Sequence, residues 1–271
     1  MDADERGLLA EALRKTMAAR SDASGALMDL GWSEMLTDAP DTAVPLVFRL
    51  LGETGAHAPV LNDVILSAAG RPVGGTLPLP YAGGTWLEWT HGGGGDRSKA
   101  ALDPELPLRP SAPGARPPLA AGRVALGWWL LGTGQAMLAL ARRHVLDRSQ
   151  FGRPLSSFQA LRHRLAETYV ALDGAEAVLH AAAGDDTSAL LAKAAAGRAA
   201  LTAARHCQQA LGGIGFTAEH DLHRHVRRAL VLDGLLGSAR ELTREAGGLL
   251  LREHGAPRLV DLGEHDRKES A

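Results

Sequence analysis

The chain has 271 residues, 45% of them hydrophobic, a formal net charge of −2 and a pI of 6.6. That is enough apolar material for a buried core in one or two domains, and it leaves no global charge to attract nucleic acid or an anionic membrane. The single cysteine, Cys207, excludes an intrachain disulfide and any cysteine-built zinc site.

The opening Met1-Asp-Ala-Asp-Glu-Arg6 carries neither the basic start nor the apolar centre of a signal peptide. Arginine, glycine and polar residues interrupt every Leu/Ala stretch, so the expectation is a soluble, cytoplasmic protein without a membrane span. Residues 1–70 read as a helical N-terminal domain: Leu8, Leu9, Leu13 and Met17 keep one apolar face, and Val44, Val47, Phe48 and Leu51 repeat the spacing. Residues 71–118 change character. Prolines alternate with glycines there, including the run Gly92 to Gly95, and predict a reduced β/loop segment with short strands only. Residues 76–81 and 85–90 fit a hairpin whose first strand, carrying Pro78 and Pro80, must lie at an edge.

Residues 119–252 return to Ala/Leu-rich helical periodicity and predict a C-terminal domain of four-helix type. Leu126, Leu130, Met137 and Ala141 share a face, while Gly127, Gly132, Gly134 and Ala136 permit close helix contact. Residues 253–271 read as a polar tail. The fold class expected is mainly α.

Two segments carry chemistry. In Arg148-Ser-Gln-Phe-Gly-Arg-Pro154 the aromatic and glycine end one helix and Pro154 stands where another could begin, presenting Arg148 and Gln150 at an interhelical turn. An arginine there suits a diphosphate, since its planar fork matches phosphate oxygens and a helix N-terminus adds favourable potential. The alternative is an ordinary corner with a solvated arginine. In Gln209-Ala-Leu-Gly-Gly-Ile-Gly-Phe216 the glycines let backbone N–H groups approach a ligand, or else form a tight loop.

Extended from Arg148 to Ala166, the first segment resembles a signature of the acyl-CoA dehydrogenase family. The second, extended from Gln209 to Ala229, is similar to that family's later signature in order and spacing, and residues 27–32 and 50–61 look like its early helices. The resemblance implies helices before and after a small β-domain, with FAD bound between subunits. By that analogy Arg148, Gln150, Phe151, Gln159, Gln209, Gly212 and Gly213 hold the ADP side of a flavin whose ring lies in a neighbouring subunit. Arg123 stands where a family arginine does.

Two departures qualify the analogy. The family removes an α-proton from an acyl-CoA thioester with a glutamate, which must lie within hydrogen-bond reach of that proton. Its usual position after the second signature holds Leu236, and its other known position holds Gly122. Asp233, the nearest carboxylate, is a weak candidate base that fits a local turn cap better. Residues 71–118 also lack the family's Thr-Glu-Pro-x-Ala-Gly-Ser-like loop and are too few to rebuild a ring pocket.

The reading is a short, degenerate subunit of a bacterial heteromeric (α2β2, steroid-degradation type) acyl-CoA dehydrogenase. A full-length homologue would be its partner and supply the glutamate for an acyl-CoA substrate. Two alternatives stay open: a self-sufficient flavoenzyme with a non-standard base, or a flavin-free structural subunit. The basic clusters Arg142–His144 and Arg162–Arg164 lack interleaved aromatics for base stacking and read as solvated faces or ADP anchors. His220, His223 and His225 lack a zinc-hydrolase carboxylate pattern, so no metal is expected. Trp128 and Trp129 read as core or subunit-contact residues, and Cys207 as a small buried hydrophobe.

Overall fold

A computed structural model describes residues 3–19, 22–90, 102–115, 117–182 and 184–253. The Gly92 to Gly95 run and positions 254–271 of the expected tail lie outside these. Five helices come first: α1 (Ala3–Ala18), α2 (Ser24–Asp29), α3 (Trp32–Asp38), α4 (Pro40–Thr54) and α5 (Val60–Ala68). Pro40 opens α4, where its missing N–H would have no helical partner anyway, and Gly55 ends the helix with φ 72°. Val47, Phe48 and Leu51 are buried on α4 and Val44 half-buried, as their spacing predicts. On α1 the stripe is narrower than predicted: Leu13 and Met17 are buried, whereas Leu8 is 71% exposed.

The middle segment forms an antiparallel sheet in the order β1 (Pro78–Tyr81), β2 (Thr85–Trp89), β3 (Leu108–Pro110). β1 and β2 make the predicted hairpin with Leu79 opposite Leu87, and both prolines of β1 lie on the edge strand. β3 falls in a stretch that reads as loop from its prolines. It occupies the other edge, where Pro110 pairs opposite Leu87 and a missing donor costs little. The sheet joins the core through Trp89, fully buried and stacked on Trp129 at 5.4 Å.

The C-terminal part contains α6 (Ala120–Asp147), a small hairpin of β4 (Ser149–Gln150) and β5 (Arg153–Pro154), then α7 (Gln159–Ala181), α8 (Asp186–Leu211), α9 (Leu222–Gly234) and α10 (Ala239–Glu253). α6 packs against α4, α5, α7, α8 and α9, so its apolar residues face protein on several sides. α6 is long and apolar enough to cross a bilayer by length and composition alone, and 67% of its most apolar stretch is buried inside the fold. Its glycines set the spacing. A methyl on Gly132 would collide with the carbonyl of Arg49, and one on Gly52 with that of Trp129, so α4 and α6 touch backbone to backbone. Gly127 and Gly134 instead receive the side-chain methyls of Leu179 and Leu172 from α7.

Buried polar groups tie the parts together. Arg228 of α9, 2% exposed, donates to Asp103 and Glu105 of the middle segment and to the carbonyls of Gly55 and Ala56 at the end of α4. Arg224 adds a two-pronged contact to Glu105 at 3.1 and 3.2 Å. Four of the five Arg228 N–H protons thereby find protein acceptors, as a buried guanidinium requires.

Candidate functional site

The Arg148 segment is a hairpin rather than a helix corner. α6 ends at Asp147, and the chain reverses through β4 and β5 with Gln150 opposite Arg153. Phe151 and Gly152 between them have φ 54° and 77°, the pair of positive values that a two-residue I′ turn requires. Pro154 ends β5 and directly precedes a single 3₁₀ turn, Leu155–Ser157, while the α-helix α7 starts at Gln159. An L-residue in Phe151's conformation costs about 1–2 kcal/mol. The turn nevertheless puts the Phe151 ring outside, 87% exposed, edge-on to Phe158 at 6.2 Å. Arg148 and Gln150 beside it are exposed, as is Gln159, and Arg148 makes no ion pair among the described residues.

The second segment ends α8. Gly212 has φ 64° and ψ −140°, a conformation open only to glycine, and a methyl on buried Gly215 would lie 2.8 Å from the carbonyl oxygen of Gln208. Gly213 is different: its φ is not in the left-handed region, and a methyl there would meet nothing within 4 Å. Nothing in the chain's own packing demands a glycine at 213. Gln209, Gly212 and Gly213 are all exposed.

The loop that follows the glycines meets the end of α6. Arg143, His144, Asp147 and Arg148 line a polar pocket of about 470 Å³ with Glu219, His220 and Asp221. The two signatures are therefore neighbours at one end of the helical bundle. Burial and the neighbouring His220 hold the imidazole of His144 below its ordinary pKa. The three histidines of the second signature diverge: His220 accepts from Leu222 N–H, His223 bonds the His220 carbonyl, and His225 is buried beside Gly55.

Gly122 and Leu236, which the resemblance matches to the family's base positions, come together deep in the fold. A methyl on Gly122 would lie 2.7 Å from Cγ1 of Ile65 and 3.0 Å from Cδ1 of Leu236. Leu236 is 1% exposed with φ 56°, its N–H donates to the carbonyl of Pro80 at 2.8 Å, and its own carbonyl accepts from Arg123 Nε at 3.3 Å. Tyr81 packs so closely on Gly234 that any side chain there would meet its ring. The end of β1 and the side chains of Ile65 and Leu236 thus pack around Gly122, and Arg123, which holds the Leu236 carbonyl, pairs with Glu245 at 3.6 Å.

Asp233 does something else. Its Oδ1 accepts the Ala239 N–H at 3.0 Å, capping α10, and burial raises its pKa despite Lys193 nearby. Lys193 itself escaped the sequence reading. It is fully buried, and its Nζ donates to the carbonyls of Asp233 at 2.9 Å and Gly237 at 2.6 Å, pinning the loop that carries Leu236. Desolvation pushes its pKa down to about 7. A lone charge within Ala189-Leu-Leu-Ala-Lys-Ala-Ala-Ala-Gly197 was the signal available. Cys207 is buried, and desolvation pushes its thiol up to about 12, which makes it unreactive.

Residues 115–245 match the family model described as "Acyl-CoA dehydrogenase, C-terminal domain". This part of the chain is similar to the C-terminal domain of acyl-CoA dehydrogenases. Over 116 residues the chain is 43% identical to acyl-CoA dehydrogenase IpdE2 of Mycobacterium tuberculosis, covering 42% of this chain and 36% of that protein. The match spans about a third of the relative's length. Among solved structures, the Tcur3481-Tcur3483 steroid ACAD aligns over 93% of this chain and 99% of that one, with TM-score 0.70 and 19% identity. The ChsE4-ChsE5 complex from Mycobacterium tuberculosis aligns over 93% and 97%, with TM-score 0.64 and 19% identity. At those identities the likeness establishes the fold, which extends the acyl-CoA dehydrogenase arrangement beyond the C-terminal domain to the helices and strands before it.

Proposed function

We propose that this chain is the flavin-sharing, non-basic subunit of a heteromeric acyl-CoA dehydrogenase, giving FAD its ADP-side contacts while a homologous partner brings the catalytic glutamate and the acyl pocket. The observation that carries this reading is the meeting of Gly122, Ile65 and Leu236. Both positions where the family places its base face each other, and aliphatic carbon fills the space between them.

The residues present fit the nucleotide half of FAD. Arg148 is exposed without an ion pair among the described residues, Phe151 offers an exposed ring for an adenine or ribose face, and Gly213 keeps a glycine where only an outside group could need one. Arg148 would hold the diphosphate by charge-assisted hydrogen bonds, and the N–H groups of the 212–216 turn would approach the same nucleotide. Bound FAD would supply the hydride acceptor. This chain's own residues orient the nucleotide, and neither Gly122 nor Leu236 can accept a proton from a substrate. The steroid ACAD among the structural neighbours supports a bulky, ring-bearing acyl-CoA as the substrate class of the assembly.

Arg148→Ala in the co-expressed assembly tests the reading. It should weaken FAD retention by roughly tenfold or more, the worth of hydrogen bonds to a charged group. Unchanged flavin content would contradict it.

A further inference from the structure

A second cavity, of about 720 Å³, lies between α3, α4, α5, the N-terminal half of α6 and the C-terminal end of α7. Leu36, Val44, Val64, Val124, Trp128 and Leu179 form its apolar side. This is neither the nucleotide clamp nor the base region. α6 turns Ala121, Val124 and Trp128 toward the cavity, whereas Gly122 faces Ile65 and Leu236, and no residue of the Arg148 or Gly212 segments lines it. The volume falls within the range of small-molecule sites, roughly 300–1,000 Å³.

The polar groups sit at the mouth. Among the described residues Asp41 is the one formally charged residue of the lining, and no described lysine or arginine contributes to it. His180, exposed at the end of α7, packs edge-on to Trp128 at 4.8 Å. Thr37 and Ser67 add hydroxyls. An anion would lie beside Asp41 with no cation to pair it, which disfavours carboxylates and the phosphates of coenzyme A. A hydroxyl could donate to Asp41, and a carbonyl could accept from His180, Thr37 or Ser67.

We propose that this cavity binds a neutral, compact, hydrocarbon-rich molecule, a fused-ring or branched aliphatic alcohol or ketone, with its polar end at Asp41 and His180. The site does not depend on the flavin reading, and flavin content serves as the control that separates the two.

The test uses the full chain in its purified assembly, with decahydro-2-naphthol and decahydronaphthalene-2-carboxylate as matched probes and displacement of Nile red as the readout. The alcohol should displace the dye saturably and change the fluorescence of Trp128, and the carboxylate should bind roughly tenfold more weakly or worse. Val124→Phe, which projects into the cavity, should weaken the alcohol by roughly tenfold or more while flavin content stays the same. Trp128→Phe should keep displacement and lose the fluorescence change. If Val124→Phe does not fold, Ala68→Phe at the exposed mouth takes its place. Absence of saturable displacement overturns the proposal, as does equal or tighter binding of the carboxylate, or a folded, cavity-filled variant that binds the alcohol unchanged.

Discussion

Gly122 and Leu236 are in mutual contact range across the centre of the fold: a methyl on the glycine would sit 3.0 Å from the leucine Cδ1. The contact means that a carboxylate cannot simply be returned to this protein. A glutamate at 236 would replace a side chain that is 1% exposed, and desolvation would keep it neutral. Leu236→Glu should lose about 1–3 kcal/mol of stability, the cost of burying a poorly paired polar group. It should also leave the chain unable to exchange the α-proton of an acyl-CoA thioester in deuterated water. Exchange by that variant alone would show that an acyl pocket exists here.

The glycines divide by what surrounds them. Gly52→Ala or Gly132→Ala would drive α4 and α6 apart and should cost about 1–3 kcal/mol or more, read as a lowered denaturation midpoint. Gly213→Ala meets open space and should change stability by only about 0.5 kcal/mol. In the assembly, however, it should reduce flavin retention. A Gly213→Ala protein with normal flavin would leave the glycine without the role given to it here.

Arg228 holds three segments at once, so its removal strands Asp103, which is 6% exposed. Arg228→Ala should cost about 3–5 kcal/mol. Adding Asp103→Ala should restore part of that loss, giving a double-mutant cycle with clear coupling. Additive losses would mean that the two side chains do not depend on each other.

Two buried bases make stability depend on pH in the same direction over different ranges. His225 is pushed down to about 4 from 6.5 by burial and by Arg228 and Arg224. Between those values the unfolded chain binds more protons, so stability rises with pH through that window and the full penalty is present below about 4. Lys193, lowered from 10.5 to about 7, adds a second rise between about 7 and 10.5. Denaturant titrations across pH should show both rises. Lys193→Met should remove the alkaline one and His225→Phe the acid one.

Much of the fold could be read from residue patterns because local rules suffice for it. The stripe Val47, Phe48, Leu51 and the small residues Gly127, Gly132 and Gly134 each have a single sensible use in packed helices. The β1–β2 hairpin followed from alternation and from where prolines are tolerated. The Arg148 turn was misread because strands of two residues show no alternation, and a phenylalanine gives no warning of a positive φ. Leu8 lies at the right spacing for the core, but no element among the described residues covers it. The base region was legible only as two substitutions far apart in the chain. That Gly122, Ile65 and Leu236 meet, and that Lys193 pins the loop between α9 and α10, depends on long-range packing that no local pattern encodes.

The most direct test of the shared-flavin account is the number of flavins per chain, measured by visible absorbance on the protein expressed alone and co-expressed with an adjacent full-length homologue. The account predicts little or no flavin on the isolated chain and a yellow complex holding fewer flavins than chains. One full equivalent of FAD on the isolated protein would contradict it.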